Sequence, residues 1–195
     1  MENTKKQTLL LHVCCAPCSS SVIEVLRDEF DITLYFYNPN ITSREEYDLR
    51  LNELKRLVLE MPAAKGLSII EGGYNPEDFF ALSKGFETEK EGGKRCALCY
   101  EERLLSTAER AEELGFDFFT TTLSVSPYKN AKKLNEIGER LAAEVKPDYL
   151  VSDFKKKDGY KRSIELSKQY GLYRQDYCGC IYSKQARAEE KGSST

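Results

Sequence analysis

The chain lacks any apolar run approaching the roughly 18 residues that a membrane span requires. Its only apolar stretch near the start, Leu9-Leu10-Leu11-His12-Val13, is too short for the core of a secretory signal. Cys14 directly after it gives the outline of a lipoprotein signal, but Val13 is not the small residue that cleavage there would need. The expected location is therefore the cytoplasm. No G-x-x-x-x-G-K-S/T or G-x-G-x-x-G run occurs, so no phosphate-cradling motif supports nucleotide binding. There is one histidine, His12, inside an apolar strand pattern. A buried, hydrogen-bonded role fits it better than that of a base, which counts against a cysteine protease. Internal repeats and low-complexity linkers are absent. With 195 residues and 41% hydrophobic content, residues 1–195 read as a single domain with an ordered core over about 8–187 and frayed residues 191–195.

Cysteine is what the chain has in excess: seven, an odd number that a fully paired disulfide framework would not produce. In a reducing compartment, clustered thiols point to metal or redox chemistry rather than to stable crosslinks. They fall into three groups: Cys14, Cys15 and Cys18; Cys96 and Cys99; Cys178 and Cys180. A C-x-x-C pair on a turn entering a helix lets both sulfurs face one metal, and the helix N-terminus favours the thiolate. Spacing alone leaves an iron–sulfur cluster, a structural zinc and unligated thiols all open. Cys178-Gly179-Cys180 carries a different signal, because a disulfide across one residue closes a strained, labile ring suited to redox cycling. The other reading of that pair is two further metal ligands.

Hydrophobic periodicity places these groups. Thr8–Val13 reads as a strand and the cysteines as a loop, followed by a helix carrying Val22, Ile23, Val25 and Leu26, with Ser19–Ser21 offering its N-cap. Ile32–Tyr37 is a second strand, Ser43–Met61 an amphipathic helix with Ser43 and Glu46 as capping box, and Leu67–Ile70 a third strand. Pro76–Ser83 reads as a short helix and Gly85–Lys94 as an exposed loop. Arg95–Cys99 then leads into a long helix to about Leu114, ended by Gly115. Phe116–Thr122 and Asp148–Ser152 read as strands, Ser124–Lys129 as a loop, and Asn130–Val145 and Gly159–Tyr170 as helices. Alternation of this kind predicts an α/β fold with a mainly parallel sheet and flanking helices. Ligands bind beyond the carboxyl ends of such strands, which puts Cys14–Cys18 and Ser124–Asn130 on one rim.

The net charge of −3 gives the whole molecule no nucleic-acid signature. Local basic groups exist nonetheless: Lys129, Lys132 and Lys133; Lys155-Lys156-Lys157 with Lys161 and Arg162; Lys184 and Arg187. A solvated face is the simpler account of such runs. The interleaved Phe154, Tyr160, Tyr173 and Tyr177 add stacking surfaces for RNA bases.

Four segments together resemble the QueH type of epoxyqueuosine reductase: His12–Cys18, Arg95–Cys99, Thr121–Pro127 and Tyr173–Cys180. Asp153–Tyr160 looks like that family too, so the resemblance runs from about residue 8 to 187 in chain order. It implies the last step of queuosine biosynthesis, in which epoxyqueuosine in a tRNA anticodon loop loses its epoxide oxygen without cobalamin. It further implies a 4Fe-4S cluster on Cys14, Cys15, Cys96 and Cys99, and Cys178 with Cys180 as a redox-active pair. The fold it implies resembles the adenine-nucleotide α-hydrolase type. The partners expected are tRNA and an electron donor that the sequence does not identify, with no membrane. A second, mononuclear iron would polarise the epoxide oxygen, with Cys178, Cys180 and Asp176 or Asp153 as reasonable ligands. Lys129, Lys155–Lys157, Lys161 and Arg162 are expected phosphate contacts, and Cys18 has no assigned role. Two alternatives stand beside this reading. One is a tRNA-thiolating enzyme, against which counts the cysteine run where a glycine- and serine-rich pyrophosphate loop would be. The other is a zinc-structured RNA-binding module.

Overall fold

Leu9 and Leu11 face one side of the first strand and Leu10 and His12 the other, as the two-residue period of a strand dictates. All four are fully buried, so the strand lies between two layers. The computed structural model describes residues 6–192. In chain order it contains β1 (Gln7–His12), α1 (Ala16–Leu26), β2 (Phe30–Phe36), α2 (Arg44–Glu60), β3 (Ser68–Glu71), α3 (Pro76–Ser83) and α4 (Lys94–Leu114). There follow β4 (Phe118–Thr121), α5 (Ala131–Ala142), β5 (Asp148–Tyr149), α6 (Gly159–Gln169) and α7 (Ile181–Gly192). The sheet is five-stranded with order β3-β2-β1-β4-β5. Every pairing is parallel, with Leu9 opposite Ile32 on one side and Phe118 on the other.

Leu9, Leu11 and Val13 pack with Ile23, Leu54 and Leu166, so α1, α2 and α6 cover one face. Leu10 packs with Leu104, Phe119 and Leu134, under α4 and α5 on the other. The expected α/β fold is thus present, with an all-parallel sheet. Strand order reverses between β1 and β4, and there a crevice opens beyond the strand ends. The loop after β1 carries Cys14 and Cys15, and a 3₁₀ turn at Thr122–Val125 follows β4.

Three local readings are corrected. First, α1 starts at Ala16 with Cys15 as its N-cap, so Ser19–Ser21 lie inside the helix. Pro17 suits a first turn, and two of the serine hydroxyls donate back to carbonyls, Ser19 to Cys15 at 2.7 Å and Ser20 to Pro17 at 2.9 Å. Second, the capping box of α2 is half closed. The Glu46 amide donates to Ser43 Oγ at 3.4 Å, but the Glu46 carboxylate turns to Arg50 at 2.7 Å. Third, residues 181–192 form α7, a helix absent from the sequence reading that ends at Lys191 and Gly192; residues 193–195 lie outside the described ones. Among the described residues no helix is long and apolar enough to cross a membrane.

Candidate redox and metal centre

β1 ends at His12 and α1 begins at Ala16, so the first cysteine group is held between a buried strand and a buried helix. The sulfurs of Cys14, Cys15 and Cys18 all lie within 4.8 Å of one another. Cys18, without a role in the sequence reading, therefore joins the other two. Cys15–Cys18 is the C-x-x-C that wraps the first turn of α1, which is why it closes. Hydrogen bonding from Cys15 and Cys18 holds the Cys14 thiol well below its usual range, while hydrogen bonding to Cys14, with burial, pushes Cys15 up to about 12. The trio therefore shares one readily formed thiolate.

Cys96 and Cys99 stand in the opening turns of α4, outside that trio and on the side of the C-terminal pair. Cys99 and Cys180 pack together against Phe79 of α3. Burial pushes the Cys99 thiol up to about 11 and the Cys180 thiol up to about 12. All seven cysteines carry free thiols. The Cys178–Cys180 turn is tightly determined. Gly179 has φ +118°, a conformation that favours glycine, and a Cβ there would meet Ile41 Cγ1 at 2.9 Å. Thr42 N donates to Gly179 O at 3.2 Å, and Cys178 N donates to Ser183 Oγ at 3.0 Å.

Between these groups lies a cleft of about 140 Å³. Cys14, Cys18 and Cys178 line it together with three buried cationic side chains, Arg50, Arg103 and Lys129. Arg50 Nε pairs with Glu46 at 2.7 Å, while its two terminal nitrogens donate to the carbonyls of Cys178 at 3.0 Å and Tyr177 at 3.2 Å. Lys129 Nζ lies 3.3 Å from Cys178 Sγ and 3.2 Å from Glu91 Oε1. Burial, which opposes its charge, is outweighed by Cys178, Tyr100 and Glu91, leaving the ammonium well above the usual lysine range. Arg103 donates to Asn38 Oδ1 at 2.7 Å. Arg50 and Arg103 were missed in the sequence because arginines on amphipathic helices are read as solvent-facing. Their signal was spacing: each occupies the apolar stripe, Arg50 beside Tyr47 and Leu54, Arg103 beside Tyr100 and Thr107.

Other expected site residues are placed as follows. Lys129 is buried beside a thiol, not presented to a phosphate. Lys155 and Lys156 are drawn to Asp153 at 3.0 and 3.4 Å, and Arg162 grips Glu24 at 2.8 and 2.9 Å. Exposed Lys157 and Lys161 remain as candidate phosphate contacts. Asp176 lines the cleft and pairs with Lys191 at 2.6 Å, whereas Asp153 is not among the lining residues. His12 is fully buried, bonded through Nδ1 to Thr121 at 2.8 Å, and kept neutral by burial and by Arg103, its pKa lowered to about 3. At the cleft mouth stand two tyrosine–arginine pairs, Arg187 over Tyr128 at 5.7 Å and Arg174 over Tyr160 at 6.0 Å.

Thiolate donors are the ligands of an iron–sulfur cluster, and buried cations around them offset its negative charge. A four-thiolate zinc site would carry the same net negative charge, so the buried cations suit either metal centre. The residues present therefore fit a cluster. A family model described as epoxyqueuosine reductase QueH matches residues 9–186. The chain belongs to the epoxyqueuosine reductase QueH family. Relatives named epoxyqueuosine reductase QueH include one from Streptococcus pyogenes serotype M1, 43% identical over 180 residues, covering 91% of this chain and 71% of that protein. Another, from Staphylococcus epidermidis, is 42% identical over 92% of this chain and 77% of its own length. One from Thermotoga maritima is 35% identical over 94% of this chain and 93% of its own length. The QueH match spans all three cysteine groups and every element from β1 through the first half of α7.

Proposed function

We propose that the chain is an oxidoreductase that converts epoxyqueuosine to queuosine in tRNA, by a two-electron deoxygenation inside the cysteine cleft. The observation that carries this reading is the convergence of thiols and buried cations at the β1/β4 switch point, in a chain of this family. The reaction breaks both carbon–oxygen bonds of the epoxide, takes up two electrons and two protons, and yields an alkene and water. Cys178 and Cys180, as a dithiol passing to a disulfide, release two electrons and two protons, which balances that demand. A 4Fe-4S cluster, held by Cys14, Cys15, Cys96 and Cys99, supplies single electrons when bound.

The chain's own residues prepare the site. Arg50 holds the backbone of Tyr177 and Cys178, and so aims the C-terminal thiols. Lys129 places a positive charge beside Cys178 where the oxygen develops negative charge. The two tyrosine–arginine pairs offer stacking surfaces for a base displaced from an anticodon loop. The test is anaerobic incubation of the purified chain with epoxyqueuosine-containing tRNA and a strong reductant, followed by nucleoside mass analysis. Queuosine should appear; recovery of unchanged epoxyqueuosine would overturn the assignment.

A further inference from the structure

Two of the three buried cleft cations reach a carboxylate, Arg50 at Glu46 and Lys129 at Glu91. Arg103 reaches none among the described residues. Arg103 is 1% exposed and among the largest fully buried side chains. Nη2 donates to Asn38 Oδ1 at 2.7 Å, and Nε lies 3.3 Å from His12 Nε2. The same His12 nitrogen sits 3.0 Å from Tyr37 O, and it offers either a proton or a lone pair, so it serves only one of the two. Asn38 is itself fixed, its Nδ2 donating to Val13 O at 3.0 Å where β1 ends. Neither Asn38 nor neutral His12 carries charge. The ionisable groups facing the guanidinium are the thiols of Cys99, Cys14 and Cys178. An unpaired buried cation is strongly unfavourable, so a fold that keeps one here implies an anion in the cleft.

We infer that Arg103 is the counter-charge of the cysteine centre, a positioning residue that sets its reduction potential. The inference rests on the iron–sulfur reading above. Taking up one electron makes a thiolate-bound cluster more negative, and a fixed cation stabilises that reduced form more than the oxidised one. Arg103 therefore raises the potential, and removing its charge lowers it. Guanidinium suits the task because it stays protonated whatever the neighbouring thiols do.

The test uses the full chain, reconstituted anaerobically with iron and sulfide, as wild type and as Arg103→Lys, Arg103→Gln and Arg103→Met. Iron and sulfide content is measured first, then reduction by dithionite in a redox titration followed by electron paramagnetic resonance. Wild type and Arg103→Lys should hold equal iron and reduce at closely similar potentials. The neutral variants should reduce at least ten-fold less favourably, about 59 mV more negative for a one-electron couple. Loss of iron from the neutral variants with retention in Arg103→Lys supports the same assignment. A neutral variant with full iron and an unchanged potential overturns it. Should both neutral variants fail to fold by circular dichroism, Arg103→Lys decides: folded with wild-type iron and potential supports the charge, misfolded means shape alone is needed. A wild type that takes up no iron is the separate failure of the cluster reading itself.

Discussion

Arg50→Met removes one partner of a buried ion pair while keeping much of the side chain's bulk. The Glu46 carboxylate, 11% exposed, is then left without its cation, and the carbonyls of Tyr177 and Cys178 lose their donor. Breaking a buried pair from one side costs about 3–5 kcal/mol. Tyr173, whose hydroxyl donates to Glu46 at 3.1 Å, offsets part of this, so about 3 kcal/mol is the working figure. For a chain of this size that corresponds to a fall in Tm of roughly 6–12 °C. Because Arg50 ties α2 to the Cys178–Cys180 turn, much of the loss should appear as easier opening of that turn. If about 1.4 kcal/mol falls on local opening, alkylation of buried Cys180 speeds up about ten-fold. The assay is thermal unfolding by circular dichroism together with iodoacetamide labelling of the reduced apoprotein, sites resolved by peptide mass. An Arg50→Met protein melting within about 2 °C of wild type, with Cys180 equally protected, would refute the clamp.

Four further outcomes are expected. Gly179→Ala forces φ +118° on a residue with a Cβ and drives that carbon to 2.9 Å from Ile41, so it should abolish turnover while the sheet core, read by far-UV circular dichroism, stays intact. Leu104→Ala, truncating a fully buried side chain of α4, should cost about 2–5 kcal/mol in denaturant unfolding. Cys178→Ala or Cys180→Ala should end turnover yet leave cluster absorbance near ~400 nm in place; loss of that absorbance would make them ligands instead. Lys157→Ala combined with Lys161→Ala should reduce the salt dependence of tRNA binding by a log–log slope of roughly 1.5, and an unchanged slope would remove both from the RNA contact.

The sequence carried much of the architecture because its helices and strands announce themselves locally. Pro76–Ser83 shows the expected bounds, and Gly115 ends α4 in the left-handed conformation, φ +72°, that its position predicted. Strand–helix alternation put Cys14–Cys18 and the loop after β4 on one rim, and the reversal of strand order at β1/β4 is where they meet. What stayed hidden depends on tertiary contact. α7 has no apolar stripe of its own, and is docked by Tyr182, whose ring lies 6.1 Å from that of Phe79 and 4.3 Å from the Arg95 guanidinium. Lys129 looked like one more surface lysine beside Lys132 and Lys133, yet the loop after β4 turns it inward to Cys178. Arg50 and Arg103 broke the rule that charge faces water, and a buried charge is where a fold accommodates chemistry rather than packing.

The central claim is that the cysteine cleft is an iron–sulfur redox centre. Metal and sulfide analysis of the chain purified without oxygen tests it most directly. A brown protein with iron and acid-labile sulfide in equal amounts, and absorbance near ~400 nm that bleaches with dithionite, is the expected result. A colourless protein carrying stoichiometric zinc and no sulfide would contradict it.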